Sequence, residues 1–240
     1  MTFRSGRIAL AVAVGWALTA PSTASALVID SFDDDFAVEI GLGGLPNPTE
    51  ATGGSLASGG PNGARAVVLT RTAGGGSASV DTNLSEANAL SVSTGAGVAA
   101  TALVIWDGDD DVTLNPNGLG GFDIAPGGEQ FISVSVLADQ SGIGLRLTLY
   151  ENGGGSATID WVTAGGNTFD GGTAETFSES LASLGIDPSN IGAITLEVFG
   201  PTSFDVQITS FQTVIPEPGA LALVGLGLAG LAIQGRRRAH

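Results

Sequence analysis

The sequence predicts an all-β fold, an antiparallel β-sandwich or jelly roll, preceded by a signal peptide and followed by a single membrane helix. Two observations carry the sandwich. Apolar residues recur at every second position in short runs, the period of half-buried antiparallel strands. Glycine clusters, among them Gly74-Gly75-Gly76, Gly127-Gly128 and Gly153-Gly154-Gly155, separate those runs at turn-like intervals. The 38 glycines alone would suggest disorder; the alternation decides against it.

Residues 1–26 read as a secretory signal. Arg4 and Arg7 supply its positive start, Ile8 to Ala20 its apolar stretch, and Ala24-Ser25-Ala26 the small-residue cleavage site, so the mature chain is expected to begin at Leu27. Val28 to Phe32 follows as the opening strand, and residues 41–62, rich in Gly and Pro, as a long loop. Ala66 to Leu69 is a strand candidate. Thr101 to Trp106, apolar on both faces, reads as a central strand. In Phe131 to Val136, Ile132, Val134 and Val136 share one face, with Ser133 and Ser135 opposite. Leu145, Leu147 and Leu149 alternate with Arg146, Thr148 and Tyr150, and Ser156 to Val162 is a further strand. Glu179 to Leu184 carries the helical signal of the body, ahead of the turn Asp187-Pro188-Ser189-Asn190. Ile194, Leu196 and Val198 then alternate with Thr195 and Glu197, and Phe204, Val206 and Ile208 with Asp205 and Gln207. No repeat is strict enough for a solenoid. Residues 27–214 are long enough for one domain with a real core. The first and last strands look like the terminal strands of carbohydrate-binding jelly rolls, a resemblance of fold rather than of activity.

Residues 215–240 read as a tail. Pro216-Glu217-Pro218 precedes an uncharged segment, 219–233, of about 22 Å as a helix at about 1.5 Å per residue. That is short for a hydrocarbon core of about 30 Å, a mismatch that snorkelling and local thinning can cover. Arg236, Arg237 and Arg238 then hold the cytoplasmic side by the positive-inside rule. Pro218 disfavours helix at Glu217, which leaves the triplet extended and accessible. The order of triplet, apolar segment and arginine cluster resembles the PEP-CTERM sorting signal of Gram-negative bacteria. The resemblance implies export through the Sec translocase, transient anchoring in the inner membrane, and processing by an exosortase, a membrane cysteine transpeptidase. The product would reside at the cell surface or outside the cell.

Charge bounds the partners. Between residues 27 and 215 the cations are Arg65, Arg71 and Arg146, against 23 acidic residues, so the mature segment carries a net charge near -20. Nucleic acid is excluded, since nothing could neutralise its phosphates. The chain has no cysteine, and its one histidine is His240. Serine–histidine and cysteine–histidine catalysis and histidine-ligated zinc are thereby ruled out.

Two acidic clusters are candidate sites for structural calcium. Asp107, Asp109 and Asp111 alternate on a turn after the central strand and could converge on a hard cation. An EF-hand is excluded, because Val112 and Gly118 occupy the positions that need glycine and glutamate. Asp30, Asp33, Asp34 and Asp35 follow the first strand. Pairing of the first and last strands would bring Asp205 to Asp30 and Asp33, as the jelly-roll resemblance implies. In both places the alternative is solvated negative charge. Glycosidase chemistry needs carboxylates about 5–10 Å apart, but no pair stands out and no E-x-D-x-E pattern is present. Tyr150 beside Arg146 is the one imaginable lyase pair and reads better as strand surface. Trp106 and Trp161 read as core, with a sugar-stacking platform as the alternative. No catalytic residue is assigned. The first reading is a non-enzymatic envelope or matrix protein associated with exopolysaccharide or biofilm. The alternatives are a carbohydrate-binding module with a defined glycan site and a secreted, carboxylate-dependent glycan hydrolase.

Overall fold

The alternating runs pair antiparallel, so that each apolar face is covered by a second sheet. The computed structural model describes residues 26–41, 64–109, 111–166 and 172–215. The expectations for Ala24, for the loop at 42–62, for Asp110, for Pro216-Glu217-Pro218, for 219–233 and for Arg236 to Arg238 lie outside the described residues. In chain order the strands are β1 Leu27–Asp30, β2 Phe36–Ile40, β3 Ala66–Ala73, β4 Ala78–Thr82, β5 Leu90–Thr94 and β6 Ala99–Trp106. They continue with β7 Phe131–Ala138, β8 Gly144–Glu151, β9 Ser156–Val162, β10 Glu175–Ser180, β11 Ile191–Phe199 and β12 Asp205–Val214.

One sheet runs β10-β7-β12-β5-β4-β2, with β1 added against β12; the other runs β3-β6-β11-β8-β9. The two sheets share one core, in which Val134, Val206 and Ile208 of the first meet Val104, Leu147 and Leu196 of the second. This is a β-sandwich, as the alternation predicts. β12 organises its sheet. Its start lies along β5, with Asp205 opposite Ser93, and its end along β1, with Phe211 opposite Asp30.

Four strands escaped the sequence pattern: β2, β4, β5 and β10. In β4 and β5 polar residues share the buried positions, Thr82 with Ala78 and Val80 in β4, and Ser91 and Thr94 with Leu90 and Val92 in β5, so the apolar alternation is short. The helical signal at Glu179 to Leu184 is corrected. β10 runs through Ser180 and pairs with β7, and a single 3₁₀ turn, Leu181–Ser183, follows. Thr176 and Ser178 are exposed while Phe177 packs against the core, a period-two arrangement that satisfies the backbone through β7. The turn at Asp187 forms as expected. Asp187 Oδ1 accepts from the Ser189 amide at 2.9 Å and hydroxyl at 2.7 Å, which lowers the Asp187 pKa.

An ion cluster joins the two sheets. Arg65, immediately before β3, is fully buried, and its Nη1 donates to Asp30 Oδ2 at 2.6 Å. Its Nη2 donates to both oxygens of Asp34, at 2.7 and 2.8 Å, and to Thr82 Oγ1 at 3.2 Å. Asp30 also accepts from Trp106 Nε1 at 2.8 Å and from the Phe32 amide at 2.8 Å. The guanidinium lies over Phe32 and Phe36, 5.6 and 5.9 Å from the ring centroids. Removing one partner leaves an uncompensated buried charge. Asp30→Ala and Arg65→Met are each expected to destabilise the mature protein by about 3–5 kcal/mol in urea titrations. Arg146→Met, at an exposed ion pair, should barely move the midpoint.

Candidate functional site

The register of β12 corrects the calcium site expected between the terminal strands, from Asp30, Asp33 and Asp205. β1 and the last strand do pair, but Asp30 sits opposite Phe211. Asp205 is six residues away along β12, roughly 20 Å at about 3.4 Å per residue. Asp205 lies instead beside β5, where its Oδ1 accepts from Ser93 Oγ at 2.5 Å. Asp30 is committed to Arg65 and Trp106, while Asp33 is exposed. Among the described residues no three acidic side chains gather to hold a metal.

The aromatic residues divide. Trp106 is fully buried, 5.2 Å from Phe211 between ring centroids, and its indole N–H is spent on Asp30, so no sugar can stack on it. Trp161 of β9 and Phe177 of β10 stack at 5.8 Å across the rims of the two sheets and close that edge of the sandwich. Arg146 does not face Tyr150 chemically. Its Nε donates to Asp160 at 2.7 Å, its Nη1 lies 3.6 Å from Glu197, and its guanidinium covers Phe199 at 5.7 Å. The bond to Asp160 is the main cause of a raised Arg146 pKa. The lyase pair is not formed.

The outer face of the seven-stranded sheet carries a different chemistry. Across the registers, Ser79 is level with Ser93 and Asp205, and Asp81 with Ser91 and Gln207. These side chains line a shallow groove of about 360 Å³. Asp81 accepts from Ser85 Oγ at 2.6 Å, as Asp205 does from Ser93, so both carboxylates already hold a hydroxyl. Further along, Ser135 pairs with Thr176 at 3.1 Å. The outcome is a field of small hydroxyls and amides. Serine at alternate positions of Leu90 to Thr94 was its trace in the sequence, but it names no chemistry.

The acidic turn is partly internal. Asp107 is buried, and its Oδ2 accepts from the Asn115 amide at 2.7 Å. Asp109 and Asp111 are each capped by the amide two residues on, from Asp111 at 3.0 Å and Thr113 at 2.8 Å. Burial raises the Asp107 pKa above 3.8. The Asn115 amide opposes this, and the charges of Asp109 and Asp111 add to it. The folded state therefore holds this proton more tightly than the unfolded chain does. The associated stability is fully present below the unfolded pKa and is lost as pH rises through the folded value. Urea titrations across pH should show wild type losing stability relative to Asp107→Asn as pH climbs above about 4. A flat difference would mean that Asp107 titrates alike in both states.

No curated protein matches the chain. Among solved structures it is similar to the family 11 carbohydrate-binding module of a cellulosomal cellulase of Clostridium thermocellum. Identity is 11%, coverage 83% of this chain and 99% of that one, and the TM-score 0.40. It is similar also to the family 30 module of another cellulosomal cellulase of that organism, at 14% identity, with 77% and 99% covered and a TM-score of 0.38. An agarase matches at 10% identity over 62% of this chain and 22% of its own, with a TM-score of 0.37. At the C-terminus, residues 214–238 match the family model described as the PEP-CTERM protein-sorting motif, and the chain is thus an exported, exosortase-sorted protein that carries this motif.

Proposed function

We propose that the mature protein is a non-enzymatic cell-envelope or extracellular matrix protein that associates with exopolysaccharide through the outer face of the seven-stranded sheet. The groove around Ser79, Ser93 and Gln207 carries the reading. Hydroxyls and amides on a fixed β-lattice can exchange water for sugar hydroxyls without desolvating a charge. The carboxylates of Asp81 and Asp205 on that face, in a segment near -20, favour uncharged polymer over polyanions. The committed Asp81 and Asp205, and a chain without catalytic histidine or cysteine, favour binding over turnover.

Affinity electrophoresis of the mature protein in gels cast with neutral or sulfated polysaccharides tests this. Retardation in neutral gels alone is expected, weakened several-fold by combined Ser93→Ala and Gln207→Ala. Equal mobility in every gel would refute polysaccharide association through this face.

Processing is tested separately. Replacing Glu217 by Ala should make the uncut form accumulate in the inner membrane of the native host, and the wild-type mature protein should lack the peptide after Pro216-Glu217-Pro218 by intact mass. An extracellular wild-type protein with an intact C-terminus would contradict it.

A further inference from the structure

We propose a second, aromatic glycan subsite at the end of the five-stranded sheet, in a cleft between the loop around Asn117 and the β8–β9 hairpin. It deepens the polysaccharide reading and rests on it for the ligand class, but not on the serine-rich face. The cleft holds about 610 Å³, within the roughly 300–1,000 Å³ of small-ligand sites.

Its floor and walls are set by the fold. Tyr150, the single tyrosine of the chain, stands half-buried on the outer face of β8, with Ser156 of β9 as its cross-strand partner. Leu114, Pro116 and Asn117 form the opposite wall. The Gly153 amide donates to Asn117 Oδ1 at 2.7 Å and ties the two walls together, while the hairpin is held to the turn before β11 by bonds of 2.8 and 3.1 Å between Asn152 and Asn190. Gly192 lets the loop seat against β11, since a β-carbon there would collide with the Pro116 carbonyl. Gly153, Gly154 and Gly155 all have positive φ, at 98°, 124° and 99°, a turn that side chains resist. The first two would meet nothing within 4 Å if they had a β-carbon, so this rim is bare backbone next to open space. A cleft held this way binds without first having to be ordered.

The chemistry of the lining selects the ligand. An aromatic ring offers its face to the apolar C–H face of a sugar. Around it, the Tyr150 hydroxyl, the Glu151 carboxylate and the Ser156 hydroxyl all line the cleft without an intramolecular hydrogen bond among the described residues. Asn117 uses its Oδ1 on Gly153, which leaves Nδ2 as a donor. Acceptors and donors beside one ring suit the alternating hydroxyls of an uncharged pyranose. Phosphate or sulfate would find no cation here, because Arg146, two positions beyond Thr148 on the same face, is held by Asp160 and Glu197. Glu151 is the one carboxylate in the lining, too few for a calcium ion that takes six to eight oxygens.

The test uses the processed protein labelled with 3-fluorotyrosine, which gives one fluorine resonance, from Tyr150. It is titrated with short neutral oligosaccharides of glucan, xylan, mannan and galactan, and with a sulfated oligosaccharide as control. A saturable shift with a neutral probe is expected. Calorimetry with that probe should show Tyr150→Ala weakening binding about tenfold or more while Tyr150→Phe stays close to wild type, with unchanged thermal melting in both. Retardation in neutral gels with a silent resonance and an unaffected Tyr150→Ala overturns the cleft and leaves the serine-rich face standing. A shift without gel retardation supports the cleft and removes the face. A shift with the sulfated probe alone overturns the neutral class, and silence towards every probe, in gel and resonance alike, overturns both sites.

Discussion

Burying an arginine costs several kcal/mol unless geometry and extra hydrogen bonds recover it, and the sandwich is arranged so that Arg65 recovers it. The residue stands between the sheets, entering β3 of one while its partners Asp30 and Thr82 end strands β1 and β4 of the other. Trp106, which ends β6, and Phe211 on β12 complete the ring of contacts. Several strand ends are thus fixed by one charge. The chain bends sharply after β1 to make this possible. Phe32 takes a positive φ of 51°, a strained conformation for a bulky residue. Its amide is held by Asp30 Oδ1, and the bend brings Asp34 round to the guanidinium. A hydrophobic residue at 65 would spare the desolvation, but it would not specify which loop must fold over which strand.

That arrangement determines where function can reside. By tying Asp30 and Asp34 to Arg65, the fold removes them from the pool of cation ligands, and by pairing β1 with the far end of β12 it separates them from Asp205. Several acidic groups left at the surface, Asp81, Asp109 and Asp205 among them, accept hydroxyls or amides from their own neighbours. What remains exposed and chemically versatile is the hydroxyl- and amide-bearing face of one sheet and the tyrosine cleft at the end of the other.

The strands were legible in proportion to how much apolar surface each one buries. Leu145 to Leu149 and Ile194 to Val198 alternate so regularly that local pattern suffices, and both pair where the alternation requires. β4, β5 and β10 carry few large apolar side chains and are paired on one or both sides by their neighbours, so their strand character is a tertiary property. The same distinction divides the candidate sites. A cluster such as Asp30 to Asp35 is visible as charge, but its partner Arg65 lies 35 positions from Asp30, and no spacing rule links them. Tyr150 was visible as strand surface. It acquires a cleft only because Gly192 admits the loop at Pro116 and Asn117, a contact across about 75 residues of chain that local pattern does not encode.

The allocation of positive charge bears on what kind of recognition this body can perform. Arg65 is buried with two aspartates, and Arg146 is shared between Asp160 and Glu197. Arg71 donates to the Gly76 carbonyl at 2.7 Å, close to its own strand. All three cations of residues 27–215 are used in holding the protein together, and the surface they leave is anionic. Counterion release, which gives charged polymers their grip on basic proteins, is then closed to it. On the proposed reading, affinity for polymer would come from hydrogen bonds and stacking, which are modest per contact and insensitive to salt. Repetition compensates for weak contacts: a polysaccharide presents the same residue many times, so each dissociation is followed by rebinding nearby. The serine-rich groove and the tyrosine cleft belong to the outer faces of opposite sheets, so a polymer held on one leaves the other open to a second strand.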